Sequence, residues 1–245
     1  MAKRLLIITA LLGLAIYFIF AITVLNKPKD ELVCNDVFIS VTDSMRTNFI
    51  NESDIRGILT KAKKFPEGKK MKDIDLLDIE QTLAQAPFVQ NVRCYKTATG
   101  KICIQVLPHQ PVLHIMSDNG ENYYLDNSGR PMPSKGYYAD LVVATGHITK
   151  EYARKSLTAL GRLIQHDAFW NNQIQQIHVL SDGTIELTPK VGEHTIFLGQ
   201  PRKYKEKLNR MRTFYTEGLN KVGWNKYSTI SLEYDNQIIC KKNKK

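Results

Sequence analysis

The hydrophobic and polar positions of the chain change their period several times, and each change predicts a different element. The first element is an uncharged run from Leu5 to Leu25. At a rise of about 1.5 Å per residue, a helix of this length spans about 30 Å, the thickness of a bilayer's hydrocarbon core. The run therefore predicts a transmembrane helix over residues 5–25, preceded by a cytoplasmic tail of residues 1–4.

A cleaved signal peptide is the alternative interpretation of this apolar run. Signal peptides normally carry an apolar region of about 7–15 residues, followed by a cleavage site of small residues. The run here is longer, and no such site follows in residues 23–28. The positive charges on its two sides are nearly balanced, but the short N-terminal tail favours a cytoplasmic N-terminus. We therefore expect a single-pass protein whose residues beyond 26 are exported.

Residues 33–107 carry a strand-helix-helix-strand-strand pattern. The helices show apolar positions at helical spacing, and an Asn or Asp precedes each as an N-cap. The strands show alternation, and the last two are joined by a turn that ends at Gly100. The predicted elements are a strand at 37–41, helices that begin after Asn51 and Asp75, and strands at 88–95 and 101–107. This order resembles a POTRA domain, a small module that binds other chains.

Pro108 and Pro111 mark a boundary, beyond which residues 108–242 are rich in predicted strands. Turn residues separate these strands, and the Ser-Asp-Gly sequence at 181–183 is a strong hairpin signal. The predicted strands are 112–116, 122–125, 139–146, 174–180, 184–190, 194–199 and 229–239, and the predicted helices are 150–166 and one that begins at Pro201. We expect an α+β fold, with a mostly antiparallel β domain that contains two helices. Residues 243–245 end a basic tail.

The closing strand alternates Ile230, Leu232 and Tyr234 with polar residues, and Asp235-Asn236 offers a turn or bulge. An apolar strand at a sheet edge is a hazard that proteins normally blunt. We interpret it as a docking edge, to which an extended partner segment adds as a further strand. The predicted partner-binding residues are Thr229, Ile230, Ser231, Leu232, Glu233, Tyr234, Asp235, Asn236, Gln237, Ile238 and Ile239. The alternative is that this strand only completes the fold, with its edge covered by the basic tail.

The chain has a formal net charge of +10, and its apolar content of 43% is ordinary for a globular protein. Lysines crowd residues 61–72, where Lys64, Lys69 and Lys70 are candidates for a basic contact. No nucleic-acid-binding module accompanies these charges, so we expect no nucleic-acid partner. Anionic lipid headgroups or an acidic partner fit the charge better. The plain alternative is that these lysines are solvated.

Four cysteines are present, and their spacing suits neither a zinc site nor a redox motif. If Lys96 faces Lys101 across the predicted turn, Cys94 lies opposite Cys103. Opposed residues are close enough for a disulfide in only part of an antiparallel ladder, so free thiols and a disulfide both remain open.

The sequence offers no catalytic constellation. Its six histidines are scattered, and it contains neither a phosphate-binding glycine motif nor a nucleophile elbow. Asp126-Asn-Ser-Gly129 predicts a hairpin turn rather than a calcium loop, because further oxygen ligands are missing. His114 and His178 lie in strand patterns and are expected to have hydrogen-bond partners within the sheet. We expect no catalytic, metal-binding or cofactor-binding residues.

Several stretches together resemble the bacterial division family FtsQ/DivIB. They are "APFVQNVRCYK", "VLPHQPVLHI", "YYLDNSGRPMP", "LVVATG" and "YSTISLEYDNQIICKK". The resemblance implies a single-pass protein of the inner membrane at the division septum, with no enzymatic activity. It implies a POTRA-like domain for septal recruitment and contacts with other septal membrane proteins or the lipid bilayer.

The resemblance also implies that the β domain binds FtsB- and FtsL-like proteins, so that the chain links early and late division proteins. Partner binding in the family involves the last β-domain strand, where Tyr234 and Asn236 match implicated positions. Glu233 departs from the family pattern, because relatives often carry a basic residue there. A POTRA-bearing envelope-assembly or secretion component is the alternative function.

Overall fold

The structure is a computed structural model that describes residues 2–22, 32–42, 49–134, 136 and 138–243, with only the main chain for residues 2–10. Helix α1, Ala2–Phe20, occupies most of the predicted transmembrane run, whose residues 23–25 lie outside the described residues. In the part of the chain described, no helix has the length and apolar character needed to cross a membrane.

The chain divides into two compact units. One contains residues 1–40, 52–83 and 92–105, and the other contains residues 41–51, 84–91 and 106–245. Residues 41–51 and 84–91, which lie within the predicted POTRA-like segment 33–107, therefore belong with the larger unit. Within that unit Phe49 stacks on Phe88 at a ring distance of 5.5 Å and meets Tyr124 edge-on at 4.9 Å. The predicted domain bounds of 33–107 and 108–242 stay predictions.

The POTRA-like elements appear in the predicted order. They are β1 Asp36–Val41, α2 Glu52–Lys61, a 3₁₀ turn at Met71–Asp73, α3 Leu76–Ala84, β2 Val89–Lys96 and β3 Lys101–Pro108. The three strands form a sheet in the order β1-β3-β2. Asp75 caps α3 as predicted, because its Oδ1 accepts a hydrogen bond from Asp78 N at 3.2 Å.

The hairpin between β2 and β3 has a register that differs from the prediction by one residue. Gly100 adopts φ +82°, and Thr97 N donates to Lys101 O at 2.8 Å, which together make a glycine bulge. The bulge places Tyr95, rather than Cys94, beside Cys103, and the Cys103 thiol raises the pKa of Tyr95. All four cysteines are free thiols. Because the two cysteines lie on opposite faces of the sheet, no disulfide joins them.

Both edges of the small sheet receive side chains from its helices. Arg56 Nη2 of α2 donates to Val37 O on β1 at 3.1 Å. Glu80 Oε1 of α3 accepts from Cys94 N on β2 at 2.6 Å. Burial of the Cys94 thiol raises its pKa to about 12, and the charge of Glu80 contributes to the rise. Each contact thereby satisfies one main-chain group on an outer strand of the small sheet.

The larger sheet has nine strands among the described residues, in the order β12-β11-β10-β9-β8-β7-β4-β5-β6. Their bounds are β4 Pro111–Ser117, β5 Asn122–Asp126, β6 Pro131–Pro133, β7 Val143–Gly146, β8 Ile174–Val179, β9 Ile185–Pro189, β10 Thr195–Gly199, β11 Tyr227–Ser231 and β12 Ile239–Lys242. The predicted strand at 139–146 is thus shorter and begins at Val143.

Three neighbouring pairs, β4 with β7, β7 with β8, and β10 with β11, are parallel, and the other pairs are antiparallel. A parallel connection needs a crossover, and the helices supply two of them. The first is α4 Lys150–Tyr152, a π-helical turn, α5 Thr158–His166 and α6 Ala168–Gln173; the second is α7 Tyr204–Thr213, a π-helical turn and α8 Asn220–Val222. Helix α7 begins at Tyr204 rather than at the predicted Pro201. Lys203, the residue before it, has φ +55°, which lies outside the right-handed helical region.

Helix α5 lies very close to strand β4. A Cβ atom on Gly161 would come within 2.6 Å of Leu113 Cγ, although both residues are in the middle of their elements. Leu113 is fully buried in a core that also contains Leu160, Ile164 and Trp170. Glycine at position 161 therefore lets the helix approach the sheet.

We expect Gly161→Ala to destabilise the larger unit by about 1–3 kcal/mol, because the added methyl group overpacks this contact. Gly57→Ala is the matched control, since Gly57 is also helical and a Cβ atom there meets nothing within 4 Å. The control should stabilise α2 by up to about 1 kcal/mol through helix propensity. Native-state hydrogen exchange of the α5 and α2 amides measures both effects. Equal protection of α5 in the variant and the original chain would contradict the close contact.

Candidate partner-binding edge

The closing segment does not form one strand over residues 229–239, as the sequence predicts. Strand β11 ends at Ser231, the chain turns, and β12 returns antiparallel to it. In the paired register Ile230 lies opposite Cys240 and Ser231 lies opposite Ile239. Of the alternating apolar residues, Ile230 lies in β11, whereas Leu232 and Tyr234 follow it. Alternation with a period of two does not show where a strand ends.

Contacts from helix α7 hold the turn between β11 and β12. Arg210 Nη2 donates to Leu232 O at 3.2 Å and to Tyr234 O at 3.0 Å. Lys203 Nζ lies 2.6 Å from Asp235 Oδ2 and lowers the pKa of that carboxyl. Asn236 adopts φ +61°, a left-handed conformation that Asn tolerates better than most residues. The turn predicted at Asp235-Asn236 is confirmed.

These pairings decide which predicted residues can bind a partner strand. Strand β11 has β10 on one side and β12 on the other, so Thr229, Ile230 and Ser231 lie inside the sheet. Leu232 N donates to Phe197 O at 2.8 Å, so Leu232 also belongs to the interior. The edge of the sheet is β12, which contains Ile239 and the first residues of the basic tail. The tail thus pairs with β11, the position that the alternative interpretation of the sequence gives it, and among the described residues no strand pairs with the other side of β12.

The main-chain groups of β12 that face away from β11 can be identified from its hydrogen bonds. Asn243 N donates to Lys226 O at 3.1 Å, so this residue faces β11. Successive residues of a strand direct their N–H groups to opposite sides. The irregularity in this pair lies on β11, between Tyr227 and Thr229, so the alternation along β12 is uninterrupted. Cys240 and Lys242 therefore present the outward N–H groups.

The side chains around this edge combine apolar and basic groups. Ile239 is 48% exposed and Tyr234 in the adjacent turn is 52% exposed. Lys241 and Lys242 are exposed, whereas Cys240 packs against the core on the other face. A strand that added here would meet Ile239 and Lys241 on one face of the sheet and Lys242 and the half-buried Cys240 on the other.

The opposite edge of the nine-stranded sheet is chemically closed. Strand β6 is short, and two of its residues, Pro131 and Pro133, have no N–H group to donate. Proline at an edge strand is one way in which proteins prevent strand addition. Within the described sheet, β12 is therefore the edge better suited to an added strand.

A buried lysine supports the segment before α7. Lys207 is only 2% exposed, and its Nζ donates to Leu198 O at 2.7 Å and to Gln200 O at 3.0 Å. Burial lowers the pKa of this amine, and the nearby Arg202 and Arg210 lower it further. Lys207 fixes the end of β10, from which α7 and Arg210 reach the turn.

The three lysines of the predicted basic contact in the smaller unit differ in their hydrogen-bond partners. Lys64 Nζ lies 2.5 Å from Asp78 Oδ1 and 2.9 Å from Thr82 Oγ1. Its positive charge is therefore paired with the Asp78 carboxylate. Lys69 and Lys70 are exposed, and the Lys69 amine donates only to Lys63 O at 3.3 Å among the described contacts. Only Lys69 and Lys70 of the three candidates remain available to a partner.

The sequence does not predict the buried pair of His109 and Asp126. His109 Nδ1 lies 2.7 Å from Asp126 Oδ2, and Arg130 Nη1 lies 3.3 Å from His109 Nε2. Asp126 Oδ1 also accepts from Ser128 N at 2.8 Å, as the predicted hairpin turn requires. Burial lowers the pKa of His109 although Asp126 raises it. No sequence spacing rule predicts that His109 and Asp126 meet. The sequence shows only that both residues lie in stretches that resemble the FtsQ/DivIB family.

His114 and His178 have hydrogen-bond partners within the sheet, as the sequence predicts. His114 Nε2 lies 2.7 Å from Asn122 Oδ1, and His178 Nδ1 lies 3.0 Å from Thr145 Oγ1. Over the described residues, no group of three or more His, Cys, Asp or Glu side chains is arranged to hold a metal ion.

Comparison with known families covers both units. Residues 110–241 match the family model described as "FtsQ/DivIB, C-terminal related", and residues 32–107 match the one described as "POTRA-like domain". The first match spans more than half of the 245-residue chain. No match to this chain is found among the curated proteins.

We expect Asn236→Ala to loosen the β11–β12 turn, because a left-handed backbone costs an alanine about 1–2 kcal/mol. Asn236→Gly is the control, since glycine adopts this conformation without that cost. The measurement is hydrogen exchange of Lys241, whose N–H faces β11. Exchange should become roughly tenfold faster in the alanine variant and stay near the original rate in the glycine variant. An unchanged rate in both would show that residue 236 does not restrain β12.

Proposed function

Because the chain belongs to the FtsQ/DivIB family, we propose that it is a non-enzymatic scaffold of the bacterial divisome. It acts at the division septum, where it links early and late division proteins. The match over residues 110–241 favours this function over an envelope-assembly or secretion role, since the POTRA-like match alone fits either one.

The observation that carries the proposal is the free side of β12. An extended partner segment pairs with the outward groups of Cys240 and Lys242, and main-chain hydrogen bonds supply much of the affinity. The partners are FtsB- and FtsL-like single-pass proteins. Of the predicted contact residues, Tyr234 and Ile239 are exposed and supply apolar contacts.

The positive charge of the β12 edge favours a partner strand with acidic side chains. Lys241 and Lys242 lie on β12, and Arg210 lies beside the turn. Acidic side chains on the added strand fit these groups, because opposite charges across a strand pair stabilise it. Glu233 precedes the turn, close to Gly199 rather than on β12, and leaves the edge itself basic.

We expect Cys240→Pro to weaken capture of a purified FtsB–FtsL-like pair by roughly tenfold to a hundredfold. Proline removes one outward N–H donor and obstructs strand addition, a loss of about 1–3 kcal/mol. Cys240→Ala is the matched control, because it removes the thiol and keeps the N–H group. Titration by surface plasmon resonance measures both variants, and hydrogen exchange of β11 verifies their folding.

Charge reversal provides an independent arm of this experiment. Lys241→Glu with Lys242→Glu should also weaken capture, whereas Lys150→Glu with Lys155→Glu changes the net charge equally and should not. If the proline variant unfolds, Lys242→Pro with Lys242→Ala replaces it. A folded proline variant that captures the pair at the original affinity would show that β12 is not the docking edge.

The proposal includes an anchor formed by residues 5–25, with a cytoplasmic N-terminus and an exported remainder. Two observations support it: the run is uncharged, and the side chains of residues 11–20 are exposed all around α1. A helix that is apolar on all sides is stable only when buried or in a membrane.

We expect protease added outside intact spheroplasts to digest the residues beyond the anchor and to leave a short membrane-bound N-terminal fragment. Lysed spheroplasts and a cytoplasmic marker protein are the controls. Complete protection from the protease, or a mature N-terminus near residue 25, would contradict the anchor.

A further inference from the structure

The segment that follows residues 23–31 is bonded to the lysine-rich loop between α2 and α3. Cys34 N donates to Lys69 O at 2.8 Å, and Met71 N donates to Leu32 O at 2.7 Å. A β-bridge also joins Val33 to the same loop. The loop is therefore held against residues 32–34.

The turn between β2 and β3 also contacts residues 32–35. Asn35 N donates to Gly100 O at 3.0 Å, and Asn35 Nδ2 donates to Thr99 O at 3.4 Å. A Cβ atom on Gly100 would lie 3.0 Å from Leu32 Cδ2, so this turn also contacts the incoming segment. Three segments thus form one continuous surface, fixed by main-chain hydrogen bonds.

This surface is basic and partly apolar, and we name it the basic platform. Its exposed lysines are Lys69, Lys70, Lys72, Lys96 and Lys101. Leu32 is 37% exposed and Val33 is 46% exposed beside them. The carboxylates of the same segments are fewer: Asp36, which pairs with Lys101 at 3.0 Å, and the exposed Glu67, Asp73 and Asp75.

Lys64 does not belong to the basic platform. Lys64 and Lys69 line the same recess with Asp75 and Asp78, but it is the Lys64 amine that pairs with Asp78. The charge of Lys64 is thus neutralised by a residue of α3, whereas Lys69, Lys70 and Lys72 of the same loop are exposed.

The chain length places this surface near a membrane. Only six residues separate Leu25, the end of the proposed anchor, from Leu32, so even a fully extended chain reaches no more than about 25 Å from the anchor. Lysines attract anionic headgroups at short range, and their aliphatic stems, with neighbouring apolar side chains, suit the interfacial zone.

We propose that the basic platform contacts the anionic lipid headgroups of the membrane that holds the anchor. This inference rests on the proposed anchor and adds a second membrane contact, at the surface rather than across the bilayer. It restrains the smaller unit at the bilayer instead of leaving it free on its connecting segment. The restraint is electrostatic and weakens as ionic strength rises.

The experiment compares the full-length protein in nanodiscs of phosphatidylcholine alone and in nanodiscs that also contain phosphatidylglycerol. Lysine acylation is followed at each position by mass spectrometry. Lys69, Lys70 and Lys72 should react roughly threefold or more slowly in the anionic discs, and salt near 1 M should remove the difference. Lys205 and Lys221, exposed in the larger unit, are control positions and should react equally in both discs.

The variant Lys69→Glu with Lys70→Glu should return the acylation of Lys72 in anionic discs to its rate in neutral discs. Equal rates in the two kinds of disc would overturn the proposal, and so would equal protection of the control lysines, which indicates unspecific attraction. Protection that appears only when an acidic protein partner is added would assign the platform to that protein instead. A chain that fails to enter the discs refutes the anchor, whereas incorporated chains with unprotected lysines refute the platform alone.

Discussion

The parallel pairing of β10 with β11 is the constraint on which the candidate edge depends. A parallel partner cannot be reached by a hairpin, so the chain crosses through α7 and α8 before it enters β11. The crossover places Arg210 where its guanidinium binds the carbonyls of Leu232 and Tyr234. The chain then turns and returns as β12. Without the crossover, neither the turn nor the exposed edge would have this position.

Buried polar groups fix the loops around this framework. Lys207 binds two carbonyls at the end of β10, and Asp126 binds both His109 and its own turn. Such groups lose hydration when buried, so each is costly unless its hydrogen bonds are made. Removing one partner would leave the other unsatisfied. The loops before α7 and after β5 therefore have little freedom to take another conformation.

The edge strands of the two sheets differ in how their main-chain groups are satisfied. In the small sheet, Arg56 and Glu80 satisfy main-chain groups on the two outer strands. In the large sheet, prolines close β6, whereas β12 keeps outward N–H groups and exposed lysines. An open edge can pair with any extended chain, and the prolines of β6 leave β12 as the more open edge of the large sheet. The basic charge at β12 then restricts which chain can bind there.

The sequence by itself determined the elements whose signals are local: the order of the POTRA-like helices and strands, the cap at Asp75 and the turn at Asp235-Asn236. These depend on periodicity and on residues within one turn of each other. Tertiary structure decided the strand directions, the glycine bulge at Gly100, the division of residues 229–239 between two elements, and the pairing of Lys64 with Asp78. A pattern of apolar residues reports which face is buried. It does not report which distant segment lies against that face, since that choice is made by packing and hydrogen bonding across the whole fold.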